Sequence, residues 1–208
     1  MQYLLIKYIV ILLFSAPNIC IHSPVAFAEN GIDLNRQVVF LAFERKAFDL
    51  LDSGMEPLNE LDEVTLDESL DVKKLHNFVV SARQTFGETS LAFAKLKVPA
   101  ALPDDIKASL GQIKVYFSTG FKELGESLDF YRQYMESRNP LLFEKFIEQR
   151  DKGVSHIDGA LTLLNTVRMQ LNPPKLKPNA WTVARRHLYE LQSIDAFVPW
   201  LKGPFVVN

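Results

Sequence analysis

Cysteine is all but missing from this sequence. Among 208 residues there is one, Cys20, and it sits in the N-terminal stretch. Asn18 and Ile19 precede it, where a lipoprotein cleavage site requires small residues. If the chain is cut after Ala28, no cysteine remains. That excludes a disulfide framework, a thiolate metal centre and a cysteine nucleophile. An oxidising compartment is permitted but not exploited.

Histidine is also scarce, with four residues, and none stands in a metal-binding frame. A carboxylate-bridged di-metal bundle needs Glu-x-x-His twice. The residues three before His76, His156 and His187 are Lys73, Gly153 and Ala184. His-Glu-x-x-His and Cys-x-x-Cys-His are absent, as are Gly-x-Ser-x-Gly and a phosphate-cradling glycine-rich loop. Met55, Met135 and Met169 are too ordinary a supply to argue, with the histidines, for a haem; Met135 and Met169 are expected to fill core gaps. No cofactor and no metal are expected, and the chain reads as non-catalytic. An excess of base is lacking too, with 23 Lys+Arg against 25 Asp+Glu. Such a balance does not favour nucleic-acid binding.

Long apolar runs occur only at the start. Met1 to Phe14 carries one charge, Lys7, in an otherwise apolar stretch, and Ala26-Phe27-Ala28 precedes Glu29. This is the layout of a secretory signal peptide, and the run is short for a membrane span of about 20 residues. We expect residues 1–28 to be a signal cleaved near Ala28, and residues 29–208 to form a single helical-bundle domain. The exported chain is expected to be periplasmic or extracellular, with no transmembrane helix. Its 180 residues carry 22 bases and 25 acids, enough chain for a real core.

What remains is helix. Asn30 or Asp33 offers an N-cap for a first helix. Leu34, Val38, Leu41, Phe48 and Leu51 make one stripe, and Phe40, Phe43, Ala47 and Leu50 a second. Gly54 and Pro57 predict a kink or a stop, since glycine costs about 1 and proline about 3 kcal/mol in a helix interior. The acidic stretch from Glu60 to Asp71 reads as a solvated loop. A second helix is expected from Asp71 to about Lys97. Val72, Leu75, Val79, Ala82, Phe86, Thr89, Phe93 and Leu96 alternate steps of three and four, a seam for an antiparallel neighbour.

The organising unit is a helical hairpin from Pro103 to Leu171. Its first arm repeats Ile106, Leu110, Ile113, Phe117, Phe121, Leu124, Leu128, Tyr131 and Met135, close to the 3.6-residue period. Arg138-Asn139-Pro140 breaks it, because proline disfavours the α conformation in the residue before it. The second arm repeats Phe143, Ile147, Val154, Ile157, Leu161, Leu164 and Leu171. Gly111, Ser118 and Gly125 lie seven apart and share a helix side, read as a site of tight packing rather than a ligand groove. Arg45 and Arg150 fall in phase with apolar stripes. Arg150 is expected to pair with Glu123, Glu126 or Asp129 as a register-setting contact.

After Asn172-Pro173-Pro174 a stiff connector leads to a last helix, starting near Asn179 and carrying Ala184, Leu188, Leu191 and Ile194. The expected fold class is all-α: an up-and-down antiparallel bundle of four long helices plus a short extra element. No acid stands between Asp158 and Glu190, an interval holding Arg168, Lys175, Lys177, Arg185, Arg186 and His187 with Trp181 and Tyr189. We take Lys175, Lys177, Trp181, Arg185, Arg186 and His187 as the candidate interaction surface, suited to an envelope protein or an anionic envelope surface. Two alternatives differ in class. One is a small-ligand or lipid-binding bundle lined by Phe40, Phe86, Phe117 and Phe121. The other is a metal-dependent protein using His187 and Glu190, which share a helix face.

Overall fold

A computed structural model describes residues 34–65, 72–173 and 183–184 of the chain. Its long elements are α1 (Leu34–Thr65), α2 (Val72–Lys95), α3 (Asp104–Ser137) and α4 (Pro140–Leu171). Among the described residues there is no strand. At a rise of about 1.5 Å per residue, α3 is about 50 Å long.

The hairpin forms where proline and a cap demand it. Tyr134 O accepts from the Arg138 N–H at 2.8 Å, and Arg138 takes the left-handed conformation, φ 56°. Asn139 then caps α4, its side chain accepting from Leu141 N at 3.1 Å, with Pro140 in the first turn where its missing donor costs nothing. Down the hairpin the partners run in opposite order. Tyr134 meets Phe143, Tyr131 meets Phe146, and Glu123 meets His156. The arms are therefore antiparallel. The same holds for α2 and α3, where Arg83 pairs with Asp129 and Ser90 with Ser118. Gln37 near the start of α1 bonds the carbonyls of Leu171 and Asn172, so α1 also runs antiparallel to α4. The four long helices thus go up and down in turn. We call the end holding the start of α1 and the finish of α4 the base, and the end holding the hairpin turn the tip.

The main core gathers Phe40, Phe43 and Leu51 of α1, Phe86 and Phe93 of α2, Phe117 and Phe121 of α3, and Ile157 and Leu164 of α4. Phe93 stacks on Phe117 with centroids 4.5 Å apart and on Phe121 at 5.7 Å. A second cluster toward the tip holds Leu75, Val79, Tyr131 and Phe146. Each stripe read in α2, α3 and α4 faces inward along most of its length. The close helix approach lies elsewhere than expected. A Cβ on Gly120 would stand 2.8 Å from Gly153 O, and one on Gly153 would stand 2.9 Å from Gly120 O. Gly111 has open space beside it, whereas Ser118 and Gly125 face α2.

Several expectations for α1 are corrected. The helix does not stop at Gly54 or Pro57 but runs through both to Thr65, so residues 60–65 are helical rather than loop. Gly54 is needed there, because a Cβ would meet the Phe121 ring at 2.6 Å and Thr89 Cγ2 at 2.7 Å. Burial of Leu51, Met55 and Pro57 against neighbouring helices offsets the bond that Pro57 cannot donate. Leu34 and Val38 are exposed, because α4 has ended at Leu171, beside Gln37. Arg45 is exposed, and its neighbour Glu44 is the buried charge.

Arg150 is buried, but the acids expected to answer it are engaged elsewhere: Glu123 with His156, Glu126 with Gln149 and Asp129 with Arg83. Its guanidinium reaches the adjacent Asp151 at 2.9 Å and lies 5.8 Å from the Phe146 ring. Met169 is exposed and Met135 is half-buried, whereas Met55 is the methionine fully inside. Of the last helix, Val183 and Ala184 are described. Both are helical, and Ala184 is buried in the main core, on the face its spacing indicated.

Candidate interaction surface

The base is built by a clamp between α1 and α4. Helices end with unbonded carbonyls. Gln37 Nε2 donates to Leu171 O at 3.1 Å and to Asn172 O at 3.3 Å, which satisfies two of them from the neighbouring helix. Two turns further along α1, Glu44 is fully buried and accepts from Arg168 Nη1. Charges this deep persist because they are paired, and the pairing fixes how α1 is registered against α4.

Outside this clamp the base exposes apolar side chains. Leu34 is 75% exposed, Val38 62% and Met169 74%. The exposed bases Arg36, Arg45 and Lys46 stand on the same half of α1. The second half of α1 carries Asp49, Asp52, Glu56, Glu60, Asp62 and Glu63 and no base. This order opposes the helix dipole, which favours acids at the start and bases at the finish by about 0.3–1 kcal/mol each in the terminal turns. The first turn of α1 holds no acid and the last turn no base.

The segregation is confined to α1. In the base halves of the other three helices (84–95, 104–119 and 156–171) four bases face four acids. In their tip halves, with the Arg138 turn included, nine bases face seven acids. Charge is therefore separated along α1 and not along the rest of the bundle.

Lys175, Lys177, Trp181, Arg185, Arg186 and His187 lie outside the described residues, as does Glu190. Arg168, from the same acid-free interval, does not contribute surface charge but serves the buried pair. Arg36, Arg45, Lys46, Leu34 and Val38 were missed as a surface because the stripe period placed Leu34, Val38 and Arg45 toward the core.

Among the described residues one histidine meets a carboxylate. His156 Nδ1 and Glu123 Oε2 are 2.7 Å apart, and the Tyr116 ring meets the imidazole edge-on at 5.9 Å. The Lys152 carbonyl lies 3.0 Å from the same nitrogen. The pair bridges the two hairpin arms at half-exposed positions, a geometry that ties α3 to α4. His76 is exposed on α2. Among the described residues no three His, Cys, Asp or Glu side chains converge as metal ligands, and no helix is long and apolar enough to cross a membrane. The Phe121 ring packs against Phe86 and Phe93, and Phe117 stacks on Phe93. No family model matches the chain, and no curated protein or solved structure matches it.

Proposed function

We propose that this is an exported, non-catalytic helical-bundle protein that acts by interaction at the cell envelope, with the basic start of α1 seated on an anionic lipid surface. The observation carrying this reading is the first half of α1, where exposed Leu34 and Val38 share a helix face with exposed Arg45, flanked by Lys46. Apolar side chains beside bases gain from both the interfacial and the electrostatic attraction of an anionic bilayer, at about 1 kcal/mol per base near the surface. The dipole cost of this charge order is a stability loss that an interaction at that end would explain. The signal-like segment 1–28 supports export, with Glu29 the first residue of the mature chain.

Flotation with vesicles of phosphatidylglycerol and phosphatidylcholine tests the surface reading. Binding should require the anionic lipid, weaken steeply with salt, and fall in the Arg45→Glu, Lys46→Glu double variant. Equal affinity for both vesicle types, or none for either, would remove it. N-terminal sequencing of the protein from its own host tests export: a start at Glu29 is expected, and a start at Met1 is the contrary result.

A further inference from the structure

Oxidation is a chemistry that this chain leaves to its methionines. Cys20 lies in the segment read as a cleaved signal, so the exported chain holds no thiol. Its sulfur is then all thioether, which peroxides convert to the sulfoxide. The fold treats the three methionines beyond that segment differently. Met55 is fully buried in the main core. Met135 is half-buried against the tip cluster. Met169 stands 74% exposed in the last turn of α4. A peroxide in solution therefore reaches one thioether freely, is hindered at the second and is excluded from the third.

Met169 is also oriented. Asn165, one turn earlier on α4, turns its side-chain amide toward the sulfur, with Nδ2 3.9 Å from Sδ. Sulfur is a weak acceptor, so the contact adds little to stability. Its consequence is stereochemical. A thioether sulfur has two lone pairs, and oxygen added to one or the other gives opposite sulfoxide epimers. With the Asn165 amide against one lone pair, the other is the one an oxidant meets. An unhindered methionine gives both epimers, whereas Met169 should give mostly one.

Position gives the modification an effect. Met169 lies two residues before Leu171, whose carbonyl Gln37 holds, and Val38 follows Gln37 on α1. Leu34, Val38 and Met169 are the exposed apolar side chains around this clamp. We propose that Met169 is a redox-sensitive modification site, oxidised by peroxide to one sulfoxide epimer under the control of Asn165, and that the added oxygen loosens the lipid contact of the base. The second half rests on the lipid reading above. In the step, a sulfur lone pair attacks one peroxide oxygen, and an S–O bond forms as the O–O bond breaks. The departing hydroxide takes the proton of the transferred hydroxyl and leaves as water. Sulfur loses two electrons and the peroxide gains them. The sulfoxide then presents a polar oxygen where the bilayer offers hydrocarbon, and a reductase specific for that epimer reverses the change.

The test treats the full purified protein with graded hydrogen peroxide, locates the added oxygen by peptide mass and assigns the epimer by its susceptibility to each of two epimer-specific sulfoxide reductases. The first oxygen is expected on Met169, ahead of Met135 and Met55, in one dominant epimer, and the Asn165→Ala variant should give both. Flotation with phosphatidylglycerol vesicles then compares treated and untreated protein. Affinity should fall about tenfold on oxidation. Met169→Leu, which keeps the apolar surface, should bind like the untreated wild type before and after treatment. Oxygen arriving first on another methionine, equal epimers in the wild type, or oxidised protein that binds undiminished would overturn the proposal. Untreated protein that binds no vesicles fails the lipid reading instead, and mass and epimer then decide the modification site by themselves.

Discussion

The contact at Gly120 and Gly153 gives the sharpest test of how the hairpin is packed. Alanine at either position adds one methyl group. In an unobstructed helix interior that change is favourable by about 0.8–1 kcal/mol, because alanine loses less conformational freedom than glycine. Here the methyl at position 120 would sit 2.8 Å from Gly153 O and 2.7 Å from Ile157 Cγ1, and Ile157 N is 3.2 Å away. Two of these atoms are backbone, so no side-chain rotation relieves the contact, and the arms must separate by several tenths of an ångström. Overpacking of this kind costs about 1–3 kcal/mol or more, and separation also loosens Leu124 and Ile157, both fully buried. We expect Gly120→Ala and Gly153→Ala each to destabilise by about 2 kcal/mol net, a fall in Tm of roughly 4–8 °C for a chain of this size. Gly87 and Gly111 are the controls, since a Cβ at either has nothing within 4 Å. Alanine there should stabilise by about 0.5–1 kcal/mol. The Gly120→Ala, Gly153→Ala double variant should cost less than the sum, because one separation relieves both methyls. Urea and thermal denaturation of the five variants beside the wild type measure all of this. If alanine at 120 or 153 raised stability as it does at 87 and 111, the close approach of α3 and α4 would be wrong.

Other predictions address other joints. Arg168→Ala withdraws the guanidinium from the buried Glu44 carboxylate and should cost about 3 kcal/mol; an unchanged urea midpoint would show that the pair does not hold α1 to α4. Replacing both residues by leucine and methionine should cost much less than the single change. Burial, with Tyr134 nearby, raises the pKa of the Tyr131 phenol above its ordinary 10.0. The native state then keeps a proton that the unfolded chain releases, so stability should fall as pH rises past 10. Phenolate absorbance should show Tyr131 silent until the fold is lost, and a Tyr131 phenol titrating at its ordinary 10.0 in the folded protein would contradict its burial.

Much of the bundle was legible in the order of residues. The steps of three and four in α2 and α3 predicted their buried faces from Leu75 to Phe93 and from Ile106 to Tyr131. Proline and asparagine marked the hairpin turn to the residue. These signals are local: a helix period and a cap depend on neighbours within one or two turns. Reading α1 failed where two stripes overlapped, because one residue is 100° of rotation and Glu44 and Arg45 differ by only that. Which of them turned inward depended on Arg168, more than 120 positions away. The candidate surface was half legible. The acid-free interval drew attention to the C-terminal region. The basic half of α1 could not be recognised until α4 was seen to stop beside Gln37.

By itself, then, the sequence determined an all-helical chain, the residues at which its hairpin turns, and the apolar faces of three of its four long helices. Tertiary structure alone decided that α1 passes through Gly54 and Pro57, because only a neighbouring Phe121 and Thr89 make that glycine a point of contact. It also decided which glycines touch, Gly120 and Gly153 rather than Gly111 and Gly125. Each of those outcomes depends on the distance between helices remote in sequence, a quantity that no local pattern of residues encodes.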